Sequence, residues 1–346
     1  MSRSRALQYY IFARLMLAPL MLWTIVTLVF LLLRATGDPV AAISGGRLPP
    51  EAASVLGTRL GLLDANGNRI PLLIQYFSYL GKLLQFDLGI SLTSGEQPVW
   101  KVIWQYFPAT VELTVFGLAI AFIVGVSIGI FSASRPGTVI DAGGRLFGII
   151  SYALPIFWVG MLLQLIFAVQ LRWFPLGGRF PPNLSAPQGI TGIYTLDSLL
   201  SGNFNQFFTA IHHLALPCLT LGILLSGIFE RIVRVNLKQT LKADYVEAAR
   251  ARGVQERQIL LAHALKNALI PVITVLGLTL ASLLGGAVLT EVTFSWPGLG
   301  NQLYEAISLR DYATVQGVMV FFATIVVIAS IAIDLINAYI DPRIRY

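Results

Sequence analysis

Uncharged, strongly apolar runs recur along the chain at residues 15–33, 113–134, 146–171, 214–229, 267–290 and 312–333. Crossing a hydrocarbon core takes roughly 20 helical residues at about 1.5 Å per residue. Five of the six runs meet that length. The fourth has 16 residues, and His213 before it, with Ile232 and Val233 after it, extends the helix into the interfaces. The pattern predicts an all-α integral membrane protein with six transmembrane helices.

The connections between these runs orient the chain. Basic residues collect before the first run (Arg3, Arg5, Arg14), after the second (Arg135, Arg145), after the fourth (Arg231, Arg234, Lys238, Lys242, Arg250, Arg252, Arg257, Lys266) and after the sixth (Arg343, Arg345). These are 15 of the 24 Lys and Arg residues, and most of the rest fall in one long loop that the positive-inside rule discounts. Both termini are therefore expected to be cytoplasmic. A first apolar core of 19 residues with no A-x-A site after it reads as an uncleaved signal anchor rather than a cleaved signal peptide.

The loops divide the chain into three parts. Residues 1–34 are an N-terminal tail and the first membrane helix. Residues 35–111 form an extracytoplasmic loop, with turn signals at Pro49-Pro50 and across 64–69. Within it, 71–84 sets Tyr76 and Tyr79 near Leu72, Leu73, Leu80 and Leu83, as in an amphipathic helix resting on the membrane surface. Residues 112–346 are the core, five helices with a cytoplasmic loop at 234–270. The 172–212 connection, with Gly177-Gly178 and Pro181-Pro182, is also external.

Composition agrees with the span count and narrows the function class. The chain of 346 residues is 56% hydrophobic and only 12% charged, with mean hydropathy +0.74 and a pI near 9.6; soluble domains carry about 25% charged residues. A formal charge of +7 then reads as a topology signal rather than a nucleic-acid footprint. One cysteine excludes a disulfide within the chain, and three histidines leave little from which to build a metal cluster, so no metal site is assigned.

The fourth connection differs in kind from the others. From Glu230 to Pro271 it is long and polar, yet it has no proline before Pro271 and one glycine, so it reads as helix. Asp244 followed by Glu247 has the spacing of a capping box. Gly253 supplies the left-handed residue that ends a helix. A second helix starts near Gln255 and places Ile259, Leu260, Ala262, His263, Leu265 and Ala268 in a stripe, until Pro271 opens the next span. The result is a helix, a sharp corner and another helix. Ala248 and Ala249 let another surface approach closely; composition alone does not separate a docking element from a solvated loop.

Here the residues carry a resemblance. Glu247-Ala248-Ala249, Gly253 and, after a helical stretch, Asn267-Ala-Leu-Ile-Pro271 resemble the EAA loop of ABC importer permeases. Asp244-Tyr245-Val246, 263–267 beginning at His263, Phe294-Ser-Trp-Pro-Gly-Leu-Gly300 and the terminal 341–346 stretch agree with it. Gly37-Asp38-Pro39, Asp87-Leu-Gly89 and 108–113 look like the branch that imports dipeptides, oligopeptides and, in some members, nickel. The likeness runs nearly end to end.

The resemblance implies a type I ABC importer-like permease in a bacterial inner membrane. Two permease subunits, the second a homologous sister chain, form the pathway. Two ATPase subunits bind ATP, so no cofactor is expected in this chain, and an extracytoplasmic solute-binding protein delivers substrate. Asp244, Tyr245, Glu247, Ala248, Ala249, Gly253, His263, Asn267 and Pro271 fall on the ATPase-coupling element. Glu247 is implied as the charged contact, Ala248 and Ala249 as the close-packed face, and Gly253 as the corner. The chain has no G-x-x-x-x-G-K-[ST] loop, no HExxH spacing and no hydrolase triad order, so it is not read as an enzyme.

Pathway candidates are fewer. Glu112 and Glu291 border span ends, where a carboxylate either faces a substrate amine or meets water. Asp334 directly follows the sixth run, within the sixth span about a turn from the inner surface, placed either to serve transport or to pair with a basic neighbour or reach water. Trp296 sits in a turn-rich segment that reads as a folded-back element at a pore mouth, or as an interfacial anchor. His212 and His213 point about 100° apart on a helix, which favours an interfacial role over a metal. Gly125-x-x-x-Gly129 reads as close helix packing, Pro155 and Pro217 as kinks, and Cys218 as a small core residue. An ion-coupled secondary transporter calls for several midplane ionisable groups and inverted repeats, neither of which is visible here. A non-transporting membrane scaffold is the other alternative.

Overall fold

The computed structural model describes residues 3–35, 40, 49–59, 61–64 and 66–340. Gly37, Asp38, Pro39 and the 341–346 stretch with Arg343 and Arg345 lie outside these residues, as do the side chains of Arg3 and Arg5. Among the described residues all regular structure is helical; the backbone bridges Leu63–Arg69 and Ile90–Pro98 are isolated.

In chain order the helices are α1 (Arg3–Ala35), α2 (Pro50–Arg59), α3 (Leu72–Leu84), α4 (Val99–Ser134), α5 (Val139–Ala153), α6 (Ile156–Gln170), α7 (Tyr194–Leu200), α8 (Phe204–Thr240), α9 (Asp244–Ala251), α10 (Glu256–Ala268), α11 (Ile270–Leu284), α12 (Val288–Thr293), α13 (Leu299–Ser308) and α14 (Tyr312–Ile340). Among the described residues α1, α4, α8 and α14 are long and apolar enough to cross a bilayer, and the bent pairs α5–α6 and α10–α11 pass the same test only as pairs, which gives four spans, or up to six where each pair counts as one.

Two of the expected spans take a different shape. The third run is a broken pair bent by 101°. Pro155 caps α6, and Leu154 before it is held extended (φ −82°, ψ 134°), because a proline ring disfavours helical backbone in the preceding residue. The fourth span is not short: α8 is a single helix of 37 residues that continues through Pro217 without a break. Polar residues at both ends of α8 are helical too, which a scan for charge-free residues cannot register. α4 likewise begins at Val99, well before the apolar run it carries.

α4 and α8 pack along one another and form the centre of the bundle. A side chain at Gly125 would collide with the backbone of Ser226 and Glu230, and one at Gly129 would reach Val233, so both glycines exist to let the helices touch. Leu113, Leu118, Ala121, Leu214, Leu221, Phe229 and Val233 fill the contact with Cys218, which is a small core residue as expected. α3 lies across the far end of α1, with Tyr76 hydrogen-bonded to Thr27 at 2.6 Å and Tyr76 and Tyr79 packed on Phe30. Its Leu72, Leu73, Ile74 and Phe77 remain exposed, as on a helix resting on lipid. Before it, Asp64 closes a turn by accepting the Asn68 and Asn66 amides, and the Asn68 bond leads in holding its carboxyl below the usual range.

Candidate functional site

The elbow between α8 and α11 sits at the end of the bundle opposite α3. Ala243 is the N-cap of α9 and makes no side-chain cap bond, so Asp244 is the first helical residue rather than the cap, and the capping-box expectation is corrected. Asp244 and Glu247 occupy the first turn, where negative charge complements the helix dipole. Of α9 only Val246 is buried. Asp244, Tyr245 (45% exposed), Glu247 and Ala248 face outward, and Ala249 is half-buried.

The corner forms as the glycine spacing predicts. Val254 N–H donates to the Ala249 carbonyl at 3.2 Å and Gly253 N–H to that of Arg250 at 2.9 Å, the paired bonds of a Schellman motif. Gly253 has φ +78° with open space around it, so conformation, not crowding, demands glycine there. Arg250 and Glu256 bridge the corner at 2.6 Å on its exposed side.

α10 departs from the expected stripe. Residues Ile259–Ala264 form a π-helical turn, whose longer repeat shifts the inward face to Ile259, Ala264 and Ala268 and leaves Ala262 and His263 exposed. Ala264 and Ala268 pack with Ala133 of α4 and Leu237 of α8, with Ile130, Leu241 and Leu260 around them. Asn267 donates its Nδ2 to the Tyr245 hydroxyl at 2.8 Å and reaches the His263 carbonyl at 3.3 Å. Pro271 stands in the first turn of α11, where the chain bends by 49°. Tyr245, Asn267 and the His263 backbone are thus brought together, Gly253 marks the corner, and the exposed Glu247 carboxylate has no hydrogen bond or ion pair among the described residues.

Beside the elbow lies a buried ionic cluster that residue spacing did not reveal. Lys238 donates to both Asp141 oxygens at 2.8 Å, Ser132 joins at 3.2 Å, and Arg234 pairs with Glu230 at 2.7 Å. Glu230 is fully buried against Gly144 and Gly148. The i, i+4 spacing of Glu230, Arg234 and Lys238 was the available signal, but Asp141 is 97 residues from its lysine.

The carboxylates proposed for the pathway do not meet water at span ends. Glu112, 2% exposed, takes Arg179 at 2.6 Å and both the amide and hydroxyl of Thr195 at 2.8 and 2.7 Å. Arg179 stacks over Tyr194 at 3.7 Å. Glu291, also buried, accepts the Thr110 hydroxyl at 2.7 Å and the Asn301 amide at 2.8 Å, while Thr110 accepts the Leu299 amide at 2.8 Å. Trp296 is fully buried and donates its Nε1 to the Ala109 carbonyl at 2.9 Å, which removes the reading of an interfacial anchor. It lies in a tight turn, with Ser295 at φ 47°, that folds α13 back after α12. A side chain at Gly298 would fall on the Glu291 carboxylate, and one at Gly300 would come within 2.9 Å of it, which explains the glycines after Trp296.

The remaining candidates find partners too. Asp334 pairs with Arg14 of α1 at 3.1 Å, the basic-neighbour alternative. His212 Nε2 and His213 Nδ1 bond the Trp173 and Gly178 carbonyls at 2.7 and 3.1 Å. Among the described residues no group of three or more His, Cys, Asp or Glu is placed to hold a metal ion.

Residues 125–346 match the family model described as binding-protein-dependent transport system inner membrane component. The chain is 40% identical to a dipeptide transport system permease protein of Alkalihalophilus pseudofirmus, over 90% of this chain and 91% of the relative. It is 40% identical to a di/tripeptide transport system permease protein of Pseudomonas aeruginosa, over 92% and 93%. It is 33% identical to an oligopeptide transport system permease protein of Bacillus subtilis, over 97% and 99%. The chain belongs to the family of inner membrane components of binding-protein-dependent transport systems, and is a multi-pass protein of the bacterial inner membrane.

Proposed function

Taking that membership as premise, we propose that this chain is the permease subunit of an ATP-driven importer and forms half of a pathway for di- or oligopeptides. One observation carries the reading: relatives that align over about nine-tenths or more of both chains are named as dipeptide, di/tripeptide and oligopeptide permeases. The elbow is cytoplasmic, and so are both chain termini, in keeping with the Arg and Lys residues that the sequence gathers in those segments. Two ATPase subunits bind ATP, a homologous permease completes the pathway, and an extracytoplasmic binding protein delivers peptide to the α3 end.

The elbow geometry supports a coupling role. Asp244, Tyr245, Glu247 and Ala248 form the exposed face that seats on an ATPase, with Glu247 as its charged contact. The Tyr245–Asn267 bond ties α9 to α10, and the cluster of Ala133, Leu237, Ala264 and Ala268 fastens α10 to α4 and α8. A push on α9 therefore passes to the ends of α4 and α8 and, through Pro271, into α11.

Proteoliposomes assembled with and without this chain test the proposal. Peptide-stimulated ATP hydrolysis and ATP-dependent uptake are expected only with it. Uptake driven by an ion gradient without ATP supports a secondary transporter instead, and coupling that persists without the chain supports a scaffold.

A further inference from the structure

α5 is fastened to the bundle by charge and backbone approach. Its buried residues are Asp141, Gly144 and Ser151, whereas its apolar Val139, Ile140, Leu146, Ile149 and Ile150 are exposed. A side chain at Gly227 of α8 would collide with Ser151 and approach the Gly148 carbonyl, so the two backbones touch there. The remaining tie is ionic. Lys238, in the last turn of α8, donates to both Asp141 oxygens at 2.8 Å, and Asp141 also accepts the Gly137 amide at 3.1 Å, which pins the α4–α5 corner to α8. Glu230 opposes this tie. Its Oε1 takes Arg234, but Oε2 is buried against Gly148 with no hydrogen-bond partner among the described residues. An unmet carboxylate oxygen is costly in a bundle interior, and the cost falls when α5 moves off and water reaches the group.

The far end of α5 supplies a pivot. The span bends by 101° at Leu154 and Pro155, and α6 beyond them is anchored by Gln164, whose Nε2 donates to the Leu176 and Thr293 carbonyls at 2.7 and 3.0 Å. At the near end, Leu237, beside Lys238, packs with Ala264 and Ala268 of the elbow. We propose that α5 is a hinged arm latched to α8 by Lys238 and Asp141, which act as positioning residues, and that movement of the elbow releases the latch to open the cytoplasmic side of the pathway. Its place in the transport cycle rests on the importer reading; the latch itself rests on the α5–α8 contact.

Spin labels at Val139→Cys of α5 and Val235→Cys of α8, both exposed positions, report the separation of the two helices by double electron–electron resonance in the full complex in liposomes; Cys218 is buried and stays unlabelled. Without nucleotide a short distance is expected to dominate, and a longer one to appear with ATP. Lys238→Gln is expected to raise the long-distance population without ATP roughly tenfold, as for one charge-assisted bond, and to lower peptide uptake per ATP hydrolysed, whereas Lys238→Arg keeps the parent pattern. Asp141→Asn removes the same pair from the other side and replaces Lys238→Gln where that variant does not insert. One distance unchanged in all these proteins, with and without ATP, overturns the latch. Opening in Lys238→Gln with uptake per ATP unchanged makes the pair a structural tie and overturns its role in transport. A parent complex that takes up no peptide with ATP overturns the importer reading instead, and the distances without nucleotide still decide the latch.

Discussion

Asn267 of α10 donates to the hydroxyl of Tyr245 in α9 at 2.8 Å, across 22 residues of chain and the corner at Gly253. The bond closes the elbow into one mechanical piece. Without it, α9 hangs on the corner backbone, the exposed Arg250–Glu256 pair and the single buried side chain of Val246.

Tyr245→Phe and Asn267→Ala are each expected to leave membrane insertion unchanged and to lower peptide uptake per ATP hydrolysed by roughly two- to fivefold, as for one exposed hydrogen bond. In a double-mutant cycle the second change should add little to the first. Additive losses in proteoliposome uptake show that the two side chains act separately.

Gly253 distinguishes conformation from space. Ala at this position meets no neighbour but is forced to φ +78°, at a cost of about 1–2 kcal/mol. Asn adopts that backbone more easily. Limited proteolysis at the elbow should therefore be fastest for Gly253→Pro, intermediate for Ala and slowest for Asn among the three variants. Equal rates for Ala and Asn contradict the conformational explanation.

Glu112 and Arg179 form a buried pair, and removing one partner strands the other charge. Glu112→Gln should cost about 3–5 kcal/mol in thermal unfolding of the detergent-extracted protein, with the double change Glu112→Gln/Arg179→Met milder than either single change. The protein that remains folded should keep its KM for peptide. A raised KM at unchanged stability identifies Glu112 as a peptide contact instead.

Gly298→Ala places a methyl group on the Glu291 carboxylate and is expected to destabilise by about 1–3 kcal/mol in the same unfolding measurement. Gly202→Ala has open space and a positive φ, and should show only the smaller backbone cost. Equal effects at the two glycines remove the steric account of the Trp-Pro-Gly-Leu-Gly turn.

How much of this was legible in the sequence depends on how local the cause is. Gly253 and Pro155 act through their own backbone, so the corner and the break in the third span follow from the residues themselves. The four straight membrane helices and the two bent helix pairs fall on the six apolar runs for the same reason. The length of α8 did not, because helices continue through charge where a scan for apolar residues stops. The stripe on α10 was misplaced because a π-turn lengthens the repeat without any sequence mark. The partners of Glu112 and Glu291 lie 67 and 181 residues away, so spacing offered only the carboxylates and not the arginine or threonine that occupy them.

Ala248 tests the coupling face most directly. The native cysteine, Cys218, is buried, so Ala248→Cys provides a single accessible thiol on the exposed side of α9. In intact membranes, a thiol-to-photoreactive cross-linker at that position is expected to capture a nucleotide-hydrolysing subunit, with a yield that changes when ATP is added. A thiol that labels fully yet never yields a product with an ATPase contradicts the coupling role of the elbow.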